Sequence, residues 1–161
     1  DGDFYSVIVC YQRIGWVYKG LGEYEKALNI LKEQQKLCES QIKIDSSNTF
    51  FKHNLGTSYR EIGSTQSSLG NLKKALQYFE DYNRLEKELY ESYPQNVSFK
   101  NGLAISYYKL GEYYKKVENT EQAKTFYKKA ATLCAELSND FPAYSEFQRN
   151  YKFIQEVLED F

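Results

Sequence analysis

Methionine is absent from the 161-residue sequence, position 1 included, which points to a piece excised or processed from a longer chain. Proline occurs only twice and glycine nine times. So few breakers, among many Leu, Lys, Glu, Gln and Tyr, disfavour a sheet and favour long helices. Net charge is nearly absent too: 21 basic against 22 acidic residues leave −1, so no overall field draws nucleic acid or an anionic membrane to the chain. No apolar run approaches the roughly 20 residues that span a bilayer, and no basic–apolar–small-residue pattern at the start resembles a secretion signal. A cytoplasmic protein without membrane association is expected. The 42% hydrophobic content still suffices to bury a core.

The residues that chemistry requires are scarce as well. Histidine occurs once, at His53, and one imidazole with no second histidine or Cys–Asp constellation makes neither a metal site nor a triad. No glycine-rich phosphate loop, HExxH or nucleophile elbow occurs, so no catalytic residue, metal or cofactor is expected. Carboxylate pairs such as Glu86/Glu88 and Asp140/Glu146 read as solvated helix faces. Asn96-Val97-Ser98 has the form of a glycosylation acceptor, which a cytoplasmic chain leaves unmodified. Lys115 and Lys116 beside Tyr113 and Tyr114 have the makings of a base-stacking platform. The flanking Glu112 and Glu118 and the neutral total charge argue against nucleic acid.

What the chain has in abundance is self-similarity. Ile14-Gly15, Gly22 and Ala27 recur as Ile62-Gly63, Gly70 and Ala75, and again as Leu110-Gly111 and Ala123, each time 48 residues later. A fixed period of this size signals stacked helical pairs. Apolar residues at spacings of three and four, from Phe4 through Val7, Ile8, Tyr11, Ile14 and Tyr18, predict a first helix to about Lys19. The remaining helices are expected over Glu23–Ile44, Thr49–Leu69, Leu72–Tyr93, Val97–Val117 and Asn119–Phe141, with turns at Gly20–Gly22, Asp45–Asn48 and Gly70-Asn71, and with Pro94 and Pro142 as stops. Asn119 is placed to cap its helix, with Gln122 reaching back. Ser145–Asp160 offers one more helix, whose Phe147 and Leu158 fall one period after Phe99 and Leu110 and which would cap the exposed face of the last pair.

Gly15, Gly63 and Gly111 stand twelve residues before Ala27, Ala75 and Ala123, so these small residues are expected to face each other across each turn, with Tyr11, Tyr59 and Tyr107 filling the wider ends of the joints. Cys38 and Cys134 lie two periods apart, too far for a disulfide if the units stack, and the three cysteines read as buried thiols in a reducing compartment.

An aromatic, then Leu/Ile-Gly, a Tyr three residues on, Gly seven on and Ala twelve on resembles the tetratricopeptide repeat. The first copy shows Tyr11, Ile14-Gly15, Tyr18, Gly22, Tyr24 and Ala27; the third shows Tyr107, Leu110-Gly111, Tyr114 and Ala123, with Glu118 in place of the turn glycine. The second has Gln66 where Tyr is expected but keeps Gly63, Gly70, Ala75 and Phe79. The usual period of that family is about 34 residues, so each helix here is lengthened. The resemblance implies a single all-α domain over 1–161: a right-handed α-solenoid of three antiparallel helix pairs, at about 1–48, 49–96 and 97–144, with a capping helix over 145–160.

In such stacks the first helix of each pair lines the concave surface. The resemblance therefore implies a groove bearing Gln12 and Trp16, Arg60 and Ser64, Tyr108 and Glu112, with His53, Asn101 and Arg149 further along the helices. The lysine–asparagine pattern by which some members clamp a C-terminal carboxylate is absent, since Gln12 and Trp16 take the matching places in the first copy. The expected function is non-enzymatic: binding of a peptide, a helix or a neighbouring domain in the groove. The alternatives are the regulatory or sensor part of a larger multidomain protease or signalling enzyme, which similar long-helix arrays accompany, and self-association through a terminal repeat.

Overall fold

The computed structural model describes residues 3–161. It contains seven helices and, among the described residues, no strand: α1 (Phe4–Gly20), α2 (Tyr24–Ile44), α3 (Thr49–Ser68), α4 (Leu72–Ser92), α5 (Val97–Lys116), α6 (Thr120–Asp140) and α7 (Ser145–Glu159). Local chemistry sets the ends. Asn48 and Asn96, one period apart, each accept two backbone N–H groups from the first turns of α3 and α5, and the Asn119 side chain accepts from the Gln122 N–H, satisfying donors that a helix start leaves open. Tyr144 holds the next equivalent place and supplies no side-chain cap to α7.

The turn inside each pair obeys the same period. Gly22 and Gly70 take φ of 74° and 78°, and Glu118 takes 59° at the third copy, the one non-glycine among the described residues with positive φ. Position 118 thus keeps the left-handed turn without the residue suited to it.

The chain divides within α4 into two compact units, Asp1–Leu85 and Glu86–Phe161. In the first, α1 packs on α2 and α2 on α3. Ile8, Cys38, Phe51 and Leu55 form one part of its core, and Leu28, Leu31 and Ile62 another. In the second, α5 packs on α6 and α6 on α7, around Ala104, Ala130, Cys134 and Ile154.

Three expectations change. Ala27, Ala75 and Ala123 are fully buried, but the glycines do not face them. The side chains nearest a Cβ at Gly15, Gly63 and Gly111 are Leu31, Phe79 and Tyr127, one helical turn past each alanine. The bare backbone accommodates a large neighbour, not another small one. Secondly, Glu86 is not on a solvated face: it is fully buried, and its carboxylate lies where a Cβ on Gly102 would intrude. Thirdly, all three thiols are free, but only Cys38 and Cys134 are buried, whereas Cys10 is exposed on α1. Tyr59 and Tyr107 do pack at their joints, 6.0 Å from Tyr78 and 6.2 Å from Phe126 between ring centroids.

Candidate functional site

Within the first unit, α1 and α3 carry several of the expected groove positions. Gln12, His53 and Ser64 are half-buried, and Trp16 presents 47% of its surface to solvent. Arg60 is occupied. Its Nη2 lies 2.9 Å from Glu61 Oε1, its Nε donates to the same oxygen at 3.0 Å, and Glu61 Oε2 is 2.5 Å from Lys19 Nζ on α1. Burial opposes charge on the Arg60 guanidinium, yet the neighbouring Tyr82 and Glu61 outweigh it and raise its pKa. Burial likewise disfavours ionised Glu61, but Arg60 and Lys19 hold its carboxyl below the ordinary value. The result is a Lys19–Glu61–Arg60 clasp between two helices. Glu61 and Lys19 were missing from the sequence-based set. The available signal was a sign reversal, since positions 13, 61 and 109 are equivalent and read Arg, Glu, Lys.

The second unit holds an open cavity of about 280 Å³ between α5 and α7. Asn101, Ile105 and Tyr108 line it from α5, and Glu146, Asn150 and Phe153 from α7. Ala104, Cys134 and Ile154 form its floor. These side chains meet because α6 packs against both α5 and α7, leaving the inward-facing turns of the two first-type helices side by side. The rings of Tyr108 and Phe153 approach to 5.9 Å and close one end. Asn101 Oδ1 is buried with no donor in reach, an arrangement that costs about 1–3 kcal/mol when nothing fills it.

Of the predicted residues in this unit, Asn101 and Tyr108 come together at the cavity. Glu112 lies one turn along α5, where its Oε1 accepts from the Tyr108 hydroxyl at 3.0 Å and its Oε2 lies 2.6 Å from Lys109 Nζ. Burial and then the Glu112 charge push the Tyr108 hydroxyl far above its usual pKa, so it stays a donor to that carboxylate. Arg149 is exposed, bonds Ser145 Oγ at 3.1 Å and does not line the cavity. Burial pushes the Cys134 thiol up to about 11, leaving it a neutral floor. Ile105, Glu146, Asn150 and Phe153 were not anticipated, because their role depends on how α7 docks.

The Tyr113–Lys116 cluster is spent on packing. Tyr114 stacks on Phe126 at 5.5 Å with 3° between planes, and Lys115 Nζ lies 5.3 Å over the Phe161 ring. Among the described residues no three His, Cys, Asp or Glu side chains group to hold a metal, and no helix is long and apolar enough to cross a membrane.

Paired helices and a left-handed turn repeated at a fixed period define a helical-repeat protein of the α-solenoid class. The family pattern of the tetratricopeptide repeat matches residues 8–41, 53–88 and 104–136, more than half of the sequence, and the chain belongs to that family. Tetratricopeptide repeats generally mediate protein–protein interaction. No curated protein matches the chain. Among solved structures it is similar to a thermophilic TPR protein of Thermus thermophilus, with 18% identity and a TM-score of 0.52 over 94% of this chain and 66% of that one. It is similar also to BtubC (BKLC) from P. vanneervenii, with 12% identity and a TM-score of 0.63 over 99% of this chain and 65% of that one. The chain thus spans just under two thirds of the length of each neighbour, and the likeness concerns the fold alone.

Proposed function

We propose that the protein is a non-enzymatic interaction module that seats an extended peptide or a helix between its first-type helices, with the α5–α7 cavity as the anchoring point. The observation that carries this reading is the cavity itself: aromatic walls from two helices around a buried acceptor, Asn101 Oδ1, left without a donor. Interface hot spots are desolvated pockets of this kind, and aromatic residues dominate them. Specificity would rest on shape and local polarity, since the total charge of −1 gives little long-range steering. The buried, unpaired thiols of Cys38 and Cys134 are consistent with a cytoplasmic setting.

The test is affinity for synthetic peptides selected from a displayed random library. Phe153→Ala and Tyr108→Ala should each weaken binding about tenfold or more, with helicity by circular dichroism unchanged. Trp16→Ala tests in the same way whether the first unit contributes. Unchanged affinity in both cavity variants rejects the groove.

A second reading, self-association through the first repeat, is favoured by the exposure of α1. Val7, Ile14 and Val17 are 39%, 41% and 61% exposed, whereas Leu55, Ile62 and Thr65, one period later, are buried. A second copy covering that face would appear as concentration-dependent mass in sedimentation, and Val17→Glu would abolish the effect.

A further inference from the structure

We propose that the α5–α7 cavity takes a lysine side chain of the bound segment, its aliphatic stem along the wall that Tyr108 and Phe153 form together and its ammonium against Asn101 Oδ1 and Glu146. The proposal rests on the groove reading above and names its specificity. Size comes first: about 280 Å³ falls just below the roughly 300–1,000 Å³ of pockets that engulf drug-sized ligands and cofactors, so one long side chain is the fitting occupant.

Polarity selects which side chain. The cavity offers acceptors: Asn101 Oδ1 is buried and undonated, and the Glu146 carboxylate stands on the facing wall. The cations and the hydroxyl near it are already engaged, which leaves only the neutral side-chain amides of Asn101 and Asn150 as donors. The Tyr108 hydroxyl gives its proton to Glu112, Lys109 pairs with the same carboxylate, and Lys100, next to Asn101, is 2.7 Å from Glu136. Arg149, the cation next to Asn150 in sequence, turns to Ser145. An anionic group would therefore meet a carboxylate and no free cation, and a purely apolar one would leave Asn101 unsatisfied. A lysine answers both conditions, since its stem covers Ile105 and Ile154 while its head supplies three donors and lies within reach of two ring faces.

Random dodecapeptides displayed on phage are panned against the full chain, and the best binders are synthesised. They should share a lysine, and replacing it with norleucine should weaken binding about tenfold, the loss of one charge-assisted hydrogen bond. Glu146→Gln should bring the lysine and norleucine peptides to within about twofold of each other without weakening the norleucine peptide, and Asn101→Leu should narrow the same gap. If norleucine binds as well as lysine while Phe153→Ala still weakens both, the lysine assignment falls and the groove stands. If the gap persists in Glu146→Gln and in Asn101→Leu, the lysine binds elsewhere and the assignment falls. If no peptide is selected, or Phe153→Ala and Tyr108→Ala change nothing, the groove falls and the lysine with it.

Discussion

Gly63 lies directly under the ring of Phe79: a methyl group placed on it would stand 2.8 Å from Cε1 and 2.9 Å from Cδ1, with Tyr78 Cβ at 3.2 Å. Phe79 is 3% exposed and cannot swing into solvent, so the α3–α4 joint closes only because position 63 has no side chain. Gly63→Leu should cost several kcal/mol, at or above the upper end of the ~1–3 kcal/mol usual for overpacking. Since ~1 kcal/mol moves Tm by about 2–4 °C at this size, calorimetry should show a drop of about 6 °C or more. Melting like the parent would show that the joint has slack.

Glu118 presents the opposite case. Its φ of 59° matches the turn that Gly22 and Gly70 adopt freely, and a side chain there costs about 1–2 kcal/mol, offset in part by the extra entropy that glycine loses on folding. Glu118→Gly should therefore stabilise by about 0.5–1 kcal/mol, read as a higher urea midpoint with an unchanged slope. A lower midpoint would mean that the Glu118 side chain makes a compensating contact.

The Lys19–Glu61–Arg60 clasp makes stability depend on pH. Glu61 is 7% exposed, and its carboxyl lies below the ordinary value of 4.5 because the two cations outweigh its burial. A carboxylate with a lower pKa folded than unfolded stabilises the fold above the unfolded value, and the contribution is lost as pH falls through the folded one. Glu61→Gln should cost about 1.5–3 kcal/mol at neutral pH and lose stability less steeply below about pH 4.5. Urea titrations of both proteins across the acid range check this, and parallel acid limbs would contradict it.

The thiols should separate by burial. Cys10 is exposed, while burial pushes Cys38 up to about 12, with Glu39 adding to the shift, and Cys134 up to about 11. Only thiolate attacks a disulfide reagent, so near-neutral DTNB should titrate one thiol quickly in the native protein and the other two only in denaturant. Three fast equivalents would mean that the cores around Cys38 and Cys134 open readily.

The seven helices were legible because period, caps and breakers are local. Gly22 and Gly70 take the left-handed turn that ends the helices before them, Asn48 and Asn96 cap the residues beside them, and Ala27, Ala75 and Ala123 recur in step. Two residues of the cavity wall were legible for the same reason: Asn101 and Tyr108 lie on the inward turn of a first-type helix. Glu146, Asn150 and Phe153 were not, since their helix reads as a polar cap until α7 is laid on α6. Arg60 looked like a free binding group because its neighbour Glu61 reads as one more solvated charge until Lys19 of α1 closes on it and holds it between the helices.

The sequence alone determined the repeat, its period and the helix ends, since these follow from backbone preferences expressed within a few residues. Only the tertiary structure decided which side chain each glycine admits, that Glu86 is buried, that Glu61 is clasped by two cations, and that Asn101 faces an open cavity. Those outcomes depend on distances between residues that are remote along the chain, and a translational repeat constrains them without fixing the identity of the side chains that meet.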